Sequence, residues 1–184
     1  EKVKKPEKRF LKRKGPLRIL VFGGSLGAKV FNQNLPSIFK KINEKNKLSV
    51  IHQSGESMFD LLYKNYREVS FKYEVKKYFS DMGKKYEWAD IVIARSGALT
   101  VSEIIQSGSA SILIPFPSAV DDHQFHNAKI LENVGASFII REESLNKKLL
   151  TYLAKLNRKK CKEMAINTRK LKKHDPCKEI LEAC

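Results

Sequence analysis

The sequence has few cysteines and no long run of apolar residues. All three cysteines, Cys161, Cys177 and Cys184, lie within the last 24 residues, without a CxxC pair or a histidine at zinc-finger spacing. A disulfide framework and a structural zinc site are therefore not expected, and the odd number of cysteines fits a reducing cytoplasm. No stretch approaches the roughly 20 apolar residues of a membrane-spanning helix, and the start, EKVKKPEKRF, resembles neither a signal nor a transit peptide.

Acidic residues are also in the minority, 20 against 36 Lys and Arg, which gives a net charge of +16. The excess is concentrated at the two ends. Residues 1–14 carry eight basic and two acidic residues, residues 155–184 carry ten and four, and residues 15–154 have a net charge of only +4. This distribution argues against a nucleic-acid partner and indicates a periphery that is solvated or faces anionic lipid head groups.

Short apolar runs alternate with segments of helical period in a chain of 184 residues, long enough for one large lobe. The runs are rich in β-branched residues and bounded by Gly, Pro or Ser, which is typical of buried parallel strands. They are Leu17–Phe22, Ser49–His52, Ile91–Ala94, Ser111–Ile114 and Ser137–Ile140, with one further strand expected within residues 69–79. The alternation predicts an α/β fold: a Rossmann-like parallel sheet covered by helices on both faces, followed by C-terminal helices.

Internal repeats and low-complexity linkers are absent, which indicates one domain with tails. We divide the chain into a basic N-terminal linker at 1–14, a ligand-binding lobe at 15–154 and basic C-terminal helices at 155–184, with a break near Asp175-Pro176. Parallel sheets bind ligands at the carboxyl ends of their strands, so we expect functional residues in the loops that follow them.

The first of these loops is glycine-rich: GGSLGA follows the first strand directly and opens a helix. Gly24 and Gly27 let the backbone turn sharply and approach a ligand, while free amides and the helix dipole favour an anion. Ser25 fits a phosphate oxygen or, alternatively, the N-cap of a plain strand-to-helix turn. The dinucleotide fingerprint GxGxxG is not matched, and the second strand ends in IHQSG without an acid, where His52 is expected to be buried.

The strand at residues 91–94 ends in a second such loop, ARSGALTVSEI. A helix is expected to begin near Ala98, which leaves its first amides as unpaired donors. Glu103 lies about one turn inside that helix, where a carboxylate can accept hydrogen bonds from the two vicinal hydroxyls of a ribose. The alternative is a capping box formed by Thr100 and Glu103.

A third loop, residues 115–128, is rich in Asp, His, Gln and Asn. Its acids and histidines suggest a metal, but neighbours such as Asp122 and His123 point apart in a helix, so we expect no metal. Donors for sugar hydroxyls at His123 and Gln124 are favoured, with helix capping by Asp121 or Asp122 as the alternative.

Six segments, in this order and spacing, resemble the MurG family of peptidoglycan synthesis. They are LVFGGSLGA, HQSG, FSDM, WADIVIARSGALTVSEI, ILIPFP and DDHQFHNA, and the match covers roughly residues 17–145. The family consists of inverting glycosyltransferases with two Rossmann-like lobes, the GT-B arrangement, which transfer N-acetylglucosamine from UDP-N-acetylglucosamine to undecaprenyl-diphospho-muramoyl-pentapeptide. The resemblance implies that this chain is the C-terminal, donor-binding lobe.

The resemblance also implies which residues hold the donor. The expected set consists of Gly24, Ser25, Gly27, Ser96, Gly97, Ala98, Leu99 and Thr100 around the phosphates, Ser80 and Met82 at the uracil, Glu103 at the ribose, and His123 and Gln124 at the sugar.

No catalytic residue is expected in this lobe. The family's presumed base, its acceptor groove and an arginine that touches the donor belong to a part for which this sequence has no counterpart, so we expect binding without turnover. The sequence has no DxD motif, so neither a metal nor another cofactor is expected. The full protein is expected in the cytoplasm, peripheral on the inner face of the membrane, with the lipid-linked acceptor held by the other lobe.

Two other functions stay open. A UDP-N-acetylglucosamine 2-epimerase shares a glycine turn and a Glu-bearing helix, but an ERPE-like run would be expected after the fifth strand, where PFPSAVDDHQ stands. A non-catalytic module for anions or nucleic acid would use the basic ends, and its binding would collapse with ionic strength.

Overall fold

The computed structural model describes residues 3–24, 28–117 and 122–172. The elements in chain order are α1 (Pro6–Phe10), β1 (Leu17–Phe22), α2 (Lys29–Asn43), β2 (Leu48–Gln53), α3 (Phe59–Tyr66), β3 (Lys72–Lys76), α4 (Met82–Trp88), β4 (Ile91–Ala94), α5 (Ala98–Ser107), β5 (Ser111–Leu113), α6 (His123–Asn133), β6 (Ser137–Ile139), a 3-10 turn (Glu142–Ser144), α7 (Leu145–Lys155) and α8 (Arg158–Leu171). None of these helices is long and apolar enough to cross a bilayer.

The six strands form one sheet in the order β3-β2-β1-β4-β5-β6, and every neighbouring pair is parallel. The order reverses between β1 and β4, since the chain first builds outwards from β1 to β3 and then returns to add β4 on the other side. The predicted α/β fold is confirmed. A reversal of this kind opens a crevice at the carboxyl ends of the central strands, which is where such sheets bind ligands.

Alternation along β1 explains the two-sided cover of the sheet. Ile19 and Val21 belong to one buried cluster, and Leu20 and Phe22 belong to the other. The first cluster includes apolar residues of α2, α3, α7 and α8, and the second includes residues of α4, α5 and α6. Because both faces of the central strands are buried, their sequences are apolar almost throughout rather than alternating with polar residues.

The strand that the sequence indicates least clearly is β3, at residues 72–76. It lies at the edge of the sheet, and its residues are half-buried or exposed, in contrast to the fully buried β4. An edge strand has one open side and tolerates lysines, which is why residues 69–79 have a mixed character.

The basic N-terminal segment packs into the fold through α1. Phe10 joins the core, and α1 lies against α8. The buried Arg9 donates from Nη1 to the carbonyl of Ser107 (3.2 Å) and from Nη2 to that of Gly108 (2.6 Å), at the end of α5. The two predicted C-terminal helices correspond to α7 and α8, while the predicted break near Asp175-Pro176 lies outside the described residues.

A buried ion cluster lies where the strands begin, at the end of the sheet away from their carboxyl ends. Asp90, whose side chain is 0% exposed, accepts hydrogen bonds from Arg13 Nη1 (2.7 Å), Arg158 Nε (3.0 Å) and Arg158 Nη2 (2.9 Å). The backbone amide of Arg18 donates to the same carboxylate at 3.0 Å. Two arginines of the basic ends are therefore used inside the molecule to join the N-terminal segment and α8 to the start of β4.

Candidate functional site

The predicted loops follow the carboxyl ends of parallel strands and therefore lie together at one end of the sheet. Gln53, at the end of β2, links three of them. Its Oε1 accepts from the backbone amide of Phe79 at 3.1 Å, and its Nε2 donates to the carbonyl of Gly24 at 3.4 Å. The sequence does not indicate this role, because the two partners of Gln53 lie 29 and 26 residues away.

Gly24 has the left-handed backbone that the glycine-rich loop was expected to need, with φ of 90°. A Cβ built on it would meet nothing within 4 Å, so the conformation rather than space calls for glycine. Ser25 and Gly27, the other residues predicted in this loop, lie outside the described residues. The α2 helix that follows begins at Lys29, as the loop pattern indicated.

Helix α5 begins at Ala98, as expected, and its N-cap is Gly97 in an extended conformation (φ −61°, ψ 154°). Glycine supplies no capping side chain, so the amides of the first turn are left for another acceptor. The capping-box alternative is wrong, because Thr100 is the third residue of the helix and not its N-cap. Glu103 is therefore free of a capping role.

Ser96, two residues before this helix begins, is fully buried and connects the end of β4 to α6. Its hydroxyl donates to the carbonyl of Gln124 at 2.7 Å, and Asn127 Nδ2 donates to the carbonyl of Ser96 at 3.2 Å. The hydroxyl of Ser96 thus already has a partner within the chain. Its clearest effect is to fix the start of α5 relative to the first turn of α6.

Glu103 is exposed and lies beside a cavity of about 240 Å³. Met82 and Gly83 of α4 line the same cavity, so the structure brings the residues predicted for a uracil and for a ribose to one place. Oε2 of Glu103 accepts a hydrogen bond from the hydroxyl of Tyr86 at 2.8 Å. Ser80, predicted beside the base, is exposed in the loop that precedes α4.

Tyr86 was not predicted as a functional residue. Its side chain is 3% exposed, and its ring meets that of Phe22 edge-on at a centroid distance of 6.0 Å. Burial raises the pKa of Tyr86 well above its ordinary value of 10, and the negative charge of Glu103 and their hydrogen bond raise it further. The phenol therefore stays protonated and donates to Glu103 throughout the physiological range.

Gln124 lies in the first turn of α6, half-buried, and its Oε1 accepts from the backbone amide of Phe116 at 3.0 Å. His123, beside it, is exposed.

The prediction that Asp122 caps α6 is wrong. The residue is at the N-cap position with φ of 54°, but its side chain makes no cap bond. Its carboxylate instead accepts from both terminal nitrogens of Arg141 at 3.0 and 2.7 Å, and this contact lowers the pKa of Asp122. Asp121, the other capping candidate, lies outside the described residues.

Arg95 is a second residue whose importance the sequence did not indicate. Its Nη1 donates to the carbonyls of Ile114 (3.2 Å) and Pro115 (3.1 Å), and its Nη2 pairs with Glu142 at 2.5 Å. Its guanidinium also lies over the ring of Phe116. Arg95 thereby fixes the loop after β5, whose Phe116 amide in turn contacts Gln124.

His52 is completely buried, as predicted, and its Nδ1 lies 3.0 Å from the hydroxyl of Tyr66. Burial lowers the pKa of His52 from 6.5 to about 3, so the ring is neutral at pH 7. It lies behind the loops rather than in them. In the described ranges no three His, Cys, Asp or Glu side chains come together to hold a metal ion; whether ligand binding needs a metal stays a prediction.

The family model of the glycosyltransferase family 28 C-terminal domain matches residues 18–180. A UDP-N-acetylglucosamine–N-acetylmuramyl-(pentapeptide) pyrophosphoryl-undecaprenol N-acetylglucosamine transferase from Coxiella burnetii (strain RSA 493 / Nine Mile phase I) is 42% identical in an alignment of 182 positions, which covers 97% of this chain and 51% of that protein. The enzyme of the same name from Wigglesworthia glossinidia brevipalpis is 43% identical in an alignment of 184 positions, which covers 98% of this chain and 50% of that protein. The chain thus spans about half the length of the curated relatives it matches.

Solved structures give the same picture. The crystal structure of Acinetobacter baumannii MurG superposes with a TM-score of 0.84 at 33% identity, covering 98% of this chain and 54% of that one. TarM superposes with a TM-score of 0.62 at 14% identity over 94% of this chain and 35% of its own, a likeness of fold alone. By family model, sequence identity and fold together, the chain belongs to the glycosyltransferase family 28 C-terminal domains.

Proposed function

We propose that this chain is the donor-binding lobe of a glycosyltransferase that transfers N-acetylglucosamine from UDP-N-acetylglucosamine to undecaprenyl-diphospho-muramoyl-pentapeptide. The observation that carries the proposal is the pairing, on one helix, of an uncapped N-terminus after Gly97 with the exposed carboxylate of Glu103 about one turn further on. Such an N-terminus attracts phosphate oxygens, and a carboxylate attracts vicinal hydroxyls. One nucleotide can therefore place its diphosphate at the start of the helix and its ribose beside Glu103.

In this arrangement the uracil lies near Ser80 and Met82, and the cavity beside Met82 and Glu103 receives the nucleoside. The amides of residues 98–100 face the diphosphate, and the sugar extends towards His123 and Gln124 at the start of α6. Gln124 is already oriented by the amide of Phe116. The lobe thereby holds the leaving group at one end of the crevice and leaves the anomeric carbon open to an acceptor.

The chemistry that follows is an inverting displacement. The acceptor hydroxyl attacks the anomeric carbon, the bond to the diphosphate breaks, and negative charge grows on UDP as it leaves. The dipole of α5 and its free amides stabilise that charge, and this stabilisation is greater in the transition state than in the bound donor. Ser25 is expected to add a hydrogen bond to the diphosphate.

The acceptor and the base that activates it belong, in this proposal, to another lobe. The 184-residue chain therefore binds the donor but does not transfer its sugar. We also propose that binding needs no metal and that the full protein is cytoplasmic and rests on the anionic inner face of the membrane. Co-sedimentation of the full protein with anionic but not with neutral vesicles tests the membrane part, and equal sedimentation with both would contradict it.

Calorimetry with UDP and with ADP tests the nucleotide site. We expect UDP to bind more tightly than ADP and Glu103→Ala to weaken UDP binding about tenfold, because the ribose loses its acceptor. Glu163→Ala, which removes an exposed carboxylate of α8, is the matched control and should leave binding unchanged. Equal affinity for UDP and ADP, or undiminished binding by Glu103→Ala, would sink the proposal.

The same titration repeated in the presence of a chelator tests metal independence, and a loss of UDP binding would overturn it. Raising the ionic strength separates the proposal from a plain anion-binding module, whose affinity would collapse with salt. The inward-facing Arg9 and Arg13 already give such a module less support, since both use their guanidinium groups on carbonyls within the chain.

A further inference from the structure

The hydroxyl of Tyr86 is the partner of Glu103 within the described residues, and the pair joins two helices. Tyr86 lies on α4 and Glu103 on α5, 17 residues apart, with 2.8 Å between the phenol oxygen and Oε2. The second oxygen of the carboxylate, Oε1, has no hydrogen-bond partner in the part of the chain that the structure describes. An exposed carboxylate thus has one oxygen held and one oxygen open.

Tyr86, the donor of this hydrogen bond, is held rigidly by the residues around it. The ring of Tyr86 is 3% exposed and packed edge-on against Phe22, which belongs to the central strand β1. Arg9 fixes the other end of the arrangement, since it donates to the carbonyls of Ser107 and Gly108, where α5 ends. An exposed glutamate side chain would ordinarily sample several rotamers, and ordering it on binding costs free energy. A rigid donor removes part of that cost in advance.

We propose that Tyr86 is a positioning residue of the donor site: its buried hydroxyl holds Oε2 of Glu103, so that Oε1 is presented to the ribose hydroxyls. This inference rests on the proposed function and names a residue that acts on the ligand only through Glu103. Tyr86 also lines the cavity beside Glu103, but its hydroxyl points its one proton at the carboxylate.

A purely structural role for the same hydrogen bond would look different in binding data. If the bond merely joined α4 to α5, its loss would disturb the whole site and weaken every nucleotide alike. If it orients Glu103, its loss weakens only ligands with hydroxyls that Glu103 can accept. The comparison of UDP with 2′,3′-dideoxy-UDP, which lacks both hydroxyls, distinguishes these cases.

The experiment measures the affinity of both nucleotides by calorimetry on the full 184-residue chain, as wild type and as Tyr86→Phe. We expect the wild type to prefer UDP, and Tyr86→Phe to weaken UDP about fivefold while 2′,3′-dideoxy-UDP stays unchanged. Tyr66→Phe is the matched control, because Tyr66 is also fully buried and its hydroxyl also has one side-chain partner, His52, at 3.0 Å. It should lower the stability without changing either affinity.

Equal weakening of both nucleotides by Tyr86→Phe would assign the hydrogen bond to packing and overturn the inference, and so would an unchanged affinity for UDP. A double variant with Glu103→Gln sharpens the result, since the effects of two residues that act as a unit are not additive. If the proposed function is wrong, the wild type will bind UDP no better than ADP or 2′,3′-dideoxy-UDP. That result would contradict the proposed function and the inference about Tyr86 together, and it is distinct from a change seen only in Tyr86→Phe.

Discussion

Two carboxylates, one near each end of β4, differ in their exposure and in the number of hydrogen bonds that they accept. Asp90, where β4 begins, is 0% exposed and accepts four hydrogen bonds, three from Arg13 and Arg158 and one from the amide of Arg18. Glu103, beyond the end of the same strand, is exposed and accepts one. A carboxylate whose bonds are all made within the chain stabilises the fold, whereas one with an oxygen left open is available to a ligand.

The largest effect is expected at the buried carboxylate. Asp90→Ala removes the partner of two arginines and leaves their charges buried without compensation, which typically costs about 3–5 kcal/mol. The free energy of unfolding, measured with urea, should fall by this amount. Asp90 lies where the strands begin, away from the proposed donor site. The fraction of the variant protein that remains folded should therefore bind UDP with unchanged affinity.

Asp90→Asn keeps the size of the side chain and one acceptor oxygen, so it should lose less stability than Asp90→Ala. If Asp90→Ala instead left the stability intact and reduced UDP binding, the assignment of Asp90 to stability would be wrong. Glu163→Ala, on the exposed face of α8, serves here too as the variant that should change neither quantity.

The sequence predicted the elements because their signals are local. The buried strands β1 and β4 are apolar apart from Arg18 in β1, and Gly97 marks the turn before α5. Contacts between distant residues were not predictable in this way. Asp90 and Arg158 are 68 residues apart, and Tyr86 and Glu103 are 17 apart on different helices, with no pattern in either segment to indicate the partner.

Local sequence patterns also gave wrong predictions where a distant group competes for a side chain. Asp122 occupies the N-cap position of α6, as its residue type suggested, but Arg141, 19 residues later, takes both of its carboxylate oxygens. The bidentate contact with Arg141 makes two hydrogen bonds between ionised groups, whereas a cap would give the carboxylate a neutral backbone amide as its donor. Thr100 and Glu103 have capping-box spacing, yet the helix begins two residues before Thr100, at Ala98, and Gly97 is its N-cap.

His52 offers an intermediate case, a titratable group near the loops that is nevertheless closed to ligands. Its pKa is lowered by burial from 6.5 to about 3 in the folded chain, so below pH 6.5 the unfolded chain binds a proton that the folded chain does not. Stability should therefore fall as the pH decreases from 6.5 towards 3. Between pH 7 and pH 5 we expect a loss of about 2 kcal/mol from this group.

Urea unfolding of wild type, His52→Gln and His126→Gln at a series of pH values measures this dependence. His52→Gln has no titrating ring and should flatten the profile between pH 7 and pH 5, whereas His126→Gln, which changes an exposed ring, should keep the slope of the wild type. An unchanged slope in His52→Gln would show that His52 is not excluded from protons in the folded chain.

The smallest change in stability and the clearest separation of folding from binding are expected at Gly97. Its backbone (φ −61°, ψ 154°) is open to any residue, and a Cβ there would meet nothing within 4 Å, so Gly97→Ala should alter the free energy of unfolding by less than about 0.5 kcal/mol. A diphosphate approaching the first amides of α5 would meet the new methyl group, and we expect the affinity for UDP, measured by calorimetry, to fall about tenfold. Asn157→Ala is the opposite control: Asn157 caps α8 by accepting from the amide of Lys160 at 2.9 Å, so its loss should cost about 1 kcal/mol of stability and no UDP affinity. If Gly97→Ala bound UDP as the wild type does, the start of α5 would not be where the phosphates lie, and the open edge of the sheet would have to be assigned to another ligand.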